Sequence, residues 1–478
     1  MGYGLHPEEI TTAVPGLKEL RVQFSICAIG SVKHPASGAS PSRESRPQRL
    51  PMLLRRSRKG LDLNKRSKNP NYVLSIAFLL TALNVMDRQL LAMAAGPIQA
   101  EFGLSDTELG ILTGFAFVVM HATVGIPIAS FADRTNRRNL IAAGIVAWSV
   151  LTAVTGLARS YAQIFAARIG VGIGEAVGSG PVQSLLADYF PVERRAGALA
   201  IVGAGGNLGA FVALLLGGFL VDWVGWRATF FIFGAPGLVI ALVLYATVDE
   251  PQRGAADQRP VESLPLREGL GQFLAMPSFW YITLSATFNQ FANYGFLFFL
   301  PTAMARLHGL DMSEAGTILA FSQALPTFAG VISSGFLADR LSRVDLAWHL
   351  RLPALASVLA VPLAIAFLSI DSLPLALPFC VGMAFCSTMW LGTGNAALQS
   401  IVHPSVRATA FSVLLLFSSL IGLGCGPAFV GWVSDRLAPS YGDESIRYAL
   451  MAAATAQLLG GLAHYLASRR YARDSRHP

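Results

Sequence analysis

Ala129-Ser130-Phe131-Ala132-Asp133-Arg134-Thr135-Asn136-Arg137-Arg138 and Gly335-Phe336-Leu337-Ala338-Asp339-Arg340-Leu341-Ser342-Arg343 are one phrase written twice, 206 residues apart. Each copy lies between two apolar stretches long enough to cross a bilayer. A chain that repeats itself in this way reads as two homologous membrane halves, the architecture of a transporter.

Composition agrees. The 478 residues are 53% hydrophobic and 13% charged, whereas a soluble domain carries roughly 25% charged residues. The net charge of +8 does not mark a nucleic-acid binder, because residues 1–70 hold 13 Lys and Arg against 5 Asp and Glu and account for all of the surplus. That Pro-, Ser- and Arg-rich segment lacks apolar periodicity and reads as a disordered basic cytoplasmic tail. It has no signal-peptide layout, since Glu8 and Glu9 occupy the place of a basic region. Met52 opens a compact basic leader, so residues 1–51 stand equally well as an artefact of start-site choice. Cys27, Cys380, Cys386 and Cys425 are too few and too scattered for a disulfide framework or a zinc site, and read as packing residues.

Stretches of about 20 apolar residues, the length that crosses roughly 30 Å of hydrocarbon, fall near 72–95, 108–131, 139–158, 162–188, 197–221 and 226–248, then near 277–301, 313–337, 347–370, 373–399, 407–433 and 446–467. The expectation is an all-α membrane protein with 12 transmembrane helices in two six-helix bundles, residues 71–248 and 276–468, joined by a polar cytoplasmic linker at 249–275 and ending in a tail at 469–478. Alternate loops place Arg134, Arg137, Arg138, Arg194, Arg195, Arg340, Arg343 and Arg407 on one side, and Arg159, Arg227, Arg306, Arg436 and Arg447 on the other. The richer side, with the basic leader, is expected to be cytoplasmic. Both termini then lie there, as an even span count requires.

Ionisable groups inside spans are costly and usually face a cavity. Asp87 and Arg88 in span one and Arg168 and Glu175 in span four lie well away from span ends. Arg168 and Glu175 are seven residues apart, two turns, and so share a face. Counted from the outer ends, Arg168, Asp87 and Glu175 lie about 9, 12 and 20 Å deep. Arg168 can therefore pair alternately with the two carboxylates. A carboxylate that loses its cation in such a cavity takes a proton more readily, which makes Asp87, Glu175 and Arg168 a proton-coupling set. The alternative is a static ion pair that orients helices. Arg88 points elsewhere on this reading and is structural.

The repeated phrase resembles the signature of the major facilitator superfamily, with Ala129, Asn136 and Ser342 where glycines are usual. Asn84-Val85-Met86-Asp87-Arg88-Gln89, Leu104-Ser105-Asp106-Thr107-Glu108-Leu109-Gly110 and Ala167-Arg168-Ile169-Gly170-Val171-Gly172-Ile173-Gly174-Glu175 resemble its Spinster-like branch, in a bacterial type. The resemblance implies the major facilitator fold and a cytoplasmic latch between the halves drawing on Asp133, Arg134, Arg137, Asp188, Asp339 and Arg340, with Arg195 and Arg407 beside them. For the arginines a plain topology signal explains the pattern equally well. The resemblance also implies proton-coupled movement of a small amphipathic or anionic organic molecule, lipid-like cargo included. Organic-anion symporters of the same superfamily are the main rival, sharing the Asp-Arg of span one, the Arg and Glu of span four and a Gly225-Trp226-Arg227. A receptor or scaffold that transports nothing has no use for charges in the membrane.

Substrate-binding candidates are Asn84 and Arg168 in the first half and Asn289, Asn293, Gln323 and Asn395 in the second. For each amide, interhelical hydrogen bonding is the competing role. Gly203-Ala204-Gly205-Gly206-Asn207-Leu208-Gly209 has the wrong spacing for a dinucleotide loop and no strand before it. No catalytic constellation, cofactor or metal is expected. The partners are a small-molecule substrate, protons and the lipid bilayer, the chain working as a monomer in a bacterial inner membrane.

Overall fold

The computed structural model is described over residues 67–132, 134–178, 180–253, 271–403 and 406–474. The leader before Ser67, Asp133, most of the 249–275 linker and the last four residues lie outside the described residues. Within them the chain is helical, apart from a β-bridge between Ser67 and Val248.

Span one is Pro70–Met93, begun by Asn69, whose side chain accepts from the Asn71 N–H at 3.0 Å, and by Pro70, which has no N–H to leave unpaired. Span two joins Asp106–Thr113 to Phe115–Ala132, and span three is Arg137–Thr155. Span four runs as Tyr161–Glu175, tightens into a 3₁₀ turn at Ala176–Gly178 and resumes as Gly180–Tyr189. A single helical run, Val192–Thr247, supplies spans five and six. It breaks at Gly225, whose φ of 80° is open to glycine and strained for other residues. Span seven is Pro277–His308, and span eight is Met312–Leu319 and Leu325–Ser342 around a π turn at Ala320–Ala324. Span nine is Trp348–Ser369 and span ten is Leu373–Ser387 with Trp390–Ile401. Span eleven is Arg407–Phe417, a π-helical stretch at Ser418–Cys425 and Gly426–Tyr441; span twelve is Ser445–Ala454 with Ala456–Asp474.

Eight stretches of the described residues are long and apolar enough to cross a membrane by themselves. Two of these, Gly197–Thr247 and Thr409–Tyr471, are long enough for two crossings each. Spans four and seven, one broken by its 3₁₀ turn and the other carrying Asn289, Gln290 and Asn293, complete twelve.

The helices alternate in direction, so the bundle has two ends. The near end holds Ser67, Ala132, Tyr189, Val248 and Asp474; the far end holds Phe102, Gly225, His308 and Tyr441. Span one packs on the run of spans five and six, as does span three, while span seven packs on span twelve and span nine on spans ten and twelve. The halves meet where span two touches span eleven and span five touches span eight. The main apolar cluster sits toward the far end and draws on both halves through Leu90, Met93, Phe230, Phe299, Leu300 and Leu319. The near-end cluster around Phe273, Phe279, Leu350 and Ile401 belongs to the second half alone. At the far end the contact is backbone against backbone: a methyl group on Gly110 would lie 2.4 Å from the Pro427 carbonyl oxygen, and one on Gly316 would lie 2.2 Å from that of Leu214. The structure is therefore closed at the far end.

Candidate functional site

Asp87 and Arg88 leave span one in adjacent positions, and both meet span four. Arg168 Nη1 donates to Asp87 Oδ2 at 2.9 Å, and Thr152 of span three donates to Asp87 Oδ1 at 2.5 Å. Arg88 donates to Glu175 Oε2 through Nε at 3.0 Å and Nη2 at 2.9 Å, and Nη2 also reaches Asn84 Oδ1 at 2.9 Å. Asp87, Arg168 and Glu175 are buried, Glu175 wholly so. The guanidinium of Arg88 lies over the Phe117 ring at 4.4 Å and that of Arg168 faces the Phe230 ring at 5.4 Å, which helps to hold cations in a dry setting.

Two carboxylate–guanidinium pairs thus stand side by side where the sequence suggested one arginine shared by two carboxylates. Arg88 is a member of the cluster, and the expectation that it points elsewhere is corrected. A turn of 100° per residue separates Asp87 from Arg88 around the helix, but the interior of a bundle is wider than one face and an arginine side chain reaches across it. Among the described residues Arg168 hydrogen-bonds to Asp87, not to Glu175. Its Nε and Nη2 are buried without a partner among the described residues, as is Glu175 Oε1. Nε and Nη2 form one edge of the guanidinium, two parallel donors of the kind that holds a carboxylate or phosphate in bidentate fashion.

Arg168 also lines a small cavity, together with Arg88, Leu91, Thr113, Phe117, Phe298 and Leu423, drawn from spans one, two, four, seven and eleven. At about 10 Å³ it has room for roughly one water. The sequence does not single out Thr152 and Gln89 as site residues, whereas Phe298 is one of the aromatic residues beside Asn289 and Asn293. Gln89 is buried with neither amide atom paired among the described residues; an amide inside an apolar span was its only sequence signal. Replacing Thr152 by valine should strand Asp87 Oδ1 and cost about 1–3 kcal/mol, read as a lowered unfolding midpoint in detergent. An unchanged midpoint would remove Thr152 from the site.

The second-half candidates divide. Asn289 is buried and spent on structure: its Nδ2 donates to the Ser285 carbonyl at 2.9 Å and its Oδ1 accepts from Ser357 of span nine at 2.9 Å. Asn293 donates to the Ser387 carbonyl of span ten at 3.1 Å. Asn395 is half-buried. Gln323 lies in the π turn of span eight, with its Oε1 buried and unpaired among the described residues.

The charges assigned to a latch between the halves do something else in this structure. Arg137, 1% exposed, donates to Asp188 at 2.5 Å and Ser184 in the first half, and to Glu250 at 2.8 Å just after it. The start of span three faces the end of span four and the segment after span six, so Arg137 and Asp188 clamp one half. Arg134 and Arg340 are exposed. Asp339 is exposed too, 3.7 Å from His349 Nε2 of its own half. Asp133 lies outside the described residues. Among the described residues no group of three or more His, Cys, Asp or Glu gathers as a metal site.

The family profile described as Major Facilitator Superfamily matches residues 77–427. The MFS-type efflux pump of Mycolicibacterium smegmatis is 31% identical over 397 residues, 83% of this chain and 92% of that protein. The cis,cis-muconate transport protein of Acinetobacter baylyi is 26% identical over 408 residues, covering 82% and 94%. Among solved structures, a bacterial homolog of the human lysosomal transporter Spinster, in an inward-facing and unoccupied conformation, superposes with a TM-score of 0.77 at 32% identity, over 85% of this chain and 98% of that one.

Proposed function

Because the chain belongs to the Major Facilitator Superfamily, a group of membrane transporters, we propose that it is a proton-coupled secondary transporter that moves a small amphipathic or anionic organic molecule by alternating access. The observation that carries this reading is the double ion pair beside a cavity lined from both halves. In the mechanism, an anionic head group takes the free Nε and Nη2 edge of Arg168. Its charge competes with Asp87 for the guanidinium, and Asp87, losing its cation in a dry site, accepts a proton. Glu175 does the same when Arg88 is drawn toward the bound anion. Phe117 and Phe298 offer the apolar part of the molecule a surface. The near end is the cytoplasmic one on the arginine distribution, and the membrane is a bacterial inner membrane. Gln323 and Asn395 are the second-half contacts that fit this path, whereas Asn289 and Asn293 hold helices together.

An organic-anion symporter is the second reading, favoured by the free edge of Arg168 and by the relative named for cis,cis-muconate transport. Proteoliposomes under an imposed pH gradient distinguish the cargoes when lysolipids, sphingoid bases and small organic acids are screened. Substrate-dependent proton flux is expected for one class and should fall at least tenfold in Asp87→Asn and in Glu175→Gln, with both variants folded. Undiminished pH-driven transport by both variants would end the coupling mechanism. Substrate movement without proton movement would leave facilitated diffusion.

A further inference from the structure

Span four has a second face. Gly170, Ile173, Gly174 and Val177 recur at i, i+3, i+4 and i+7 and so lie on one side of the helix. Gly170 is about 200° around the axis from Arg168, and Ile173 about 200° from Glu175, which turns this side away from the ion pairs.

With Ile128 of span two and Leu140, Ala143, Ala147 and Leu151 of span three, this face walls a groove of about 310 Å³. Its floor is the place where spans three and four touch: a methyl group on Gly174 would lie 2.8 Å from the Trp148 backbone nitrogen, and one on Gly144 would lie 2.3 Å from Val177 Cγ2. The groove therefore does not lead through to the charged cluster. It opens sideways instead. Ala143, Ala147 and Ile173 are exposed, and Val146, Val150 and Val154 continue the exposed apolar surface of span three. In the middle of a membrane span such a surface meets hydrocarbon.

Size and chemistry choose among the occupants. No side chain that lines the groove carries a polar atom, so ordered water has no partners there. Leu140 and Leu151 are eleven residues apart on span three, which makes the groove about 16 Å long. A helix about 10 Å across takes up about 1,200 Å³ over that length, roughly four times the space available. The groove's mean cross-section is about 19 Å², that of a single extended hydrocarbon chain.

We propose that the groove between spans two, three and four is a lipid site that takes one acyl chain of a bilayer phospholipid. The chain gives the lining side chains the contacts that an open groove denies them. It also lies behind the helices that hold the ion pairs. Leu151 precedes Thr152, which donates to Asp87; Gly174 precedes Glu175; and Val177 belongs to the 3₁₀ turn that interrupts span four. A bound chain thus braces span three against span four without touching the cargo.

The test counts phospholipid phosphorus per chain in the detergent-purified protein. The parent should retain one phospholipid more than Ala143→Leu with Ala147→Leu, whose side chains fill the groove. Val150→Leu, exposed on the same span but outside the lining, should match the parent. A ligand bound only by the folded chain stabilises it, so dioleoylphosphatidylglycerol added to delipidated protein should raise the unfolding midpoint of the parent and leave that of the filled variant unchanged. Neither measurement needs cargo or a pH gradient, and the outcome is independent of the transport mechanism above. Should the double variant fail to elute as a folded species, Ala147→Leu alone decides on the same two readouts. Equal phospholipid counts in the parent and the filled variant would overturn the proposal, as would equal shifts of their midpoints. A parent that elutes as a dimer beside a monomeric filled variant, with equal phospholipid counts, would assign the face to a second copy of the chain and overturn it as well.

Discussion

Arg88→Ala is expected to destabilise the protein by about 3–5 kcal/mol, because it takes the cation from a wholly buried carboxylate and leaves nothing in its place. Both hydrogen bonds on Glu175 Oε2 come from Arg88, and Oε1 has no partner among the described residues. Arg168 is occupied with Asp87. The phenyl ring of Phe117 would lose its cation as well. Adding Glu175→Gln to Arg88→Ala should recover much of the loss, since an unpaired neutral amide is far cheaper to bury than an unpaired charge. Thermal unfolding of the detergent-purified single and double variants measures the difference. A single variant as stable as the parent would mean that the pair contributes nothing to the fold, and a double variant no better than the single would show that the cost lies in lost packing.

Gly209→Leu is the second large effect, expected to cost several kcal/mol and to remove most folded protein from the membrane fraction. Gly205 and Gly209 share a face of span five, and methyl groups there would lie 2.4 Å from the Phe78 carbonyl oxygen and 2.1 Å from that of Ala82, both on span one. The obstacle is helix backbone, so no rotamer change relieves it. Overpacking of an ordinary core costs about 1–3 kcal/mol; here two spans of the same half must move apart. Small residues spaced in this way let membrane helices approach closely. Leu208→Ala, one position away at an exposed site, is the control. Normal accumulation of Gly209→Leu would show that spans one and five separate without penalty.

The two-half architecture was legible because the repeated phrase has a fixed offset and because lipid forces apolar length on every span. Gly225 was legible only as part of a Gly-Trp-Arg triplet, yet its backbone ends one span and begins the next. The charged cluster was half legible. Depth counted along each helix brought Asp87, Arg168 and Glu175 together, but it treats a side chain as a point, and Arg88 joins Glu175 through the reach of its side chain. The latch residues were legible as charges but not as pairs. Charges at helix ends advertise that contacts exist, while the conformation decides which ones are made. Arg137 lies on the clamped side of its own half, and Asp339 waits in solvent. The far-end contacts of Asp106 and Asp435 join residues 329 positions apart in sequence, a pairing that no local pattern announces.

The π-helical stretches of spans eight and eleven bear on how the chain tolerates insertions and deletions. A π turn holds one residue more than the α-helix around it, so it is a place where a helix can lose a residue and stay a helix. The same deletion in regular α-helix would rotate the helix beyond it by about 100°. In span eleven a deletion between Cys425 and Gly431 would carry Gly431, Ser434 and Asp435 off the start of span two, although every residue involved was still present. The extra residue within Ser418–Cys425 is therefore one that span eleven can lose with the contacts between the halves kept nearly in phase.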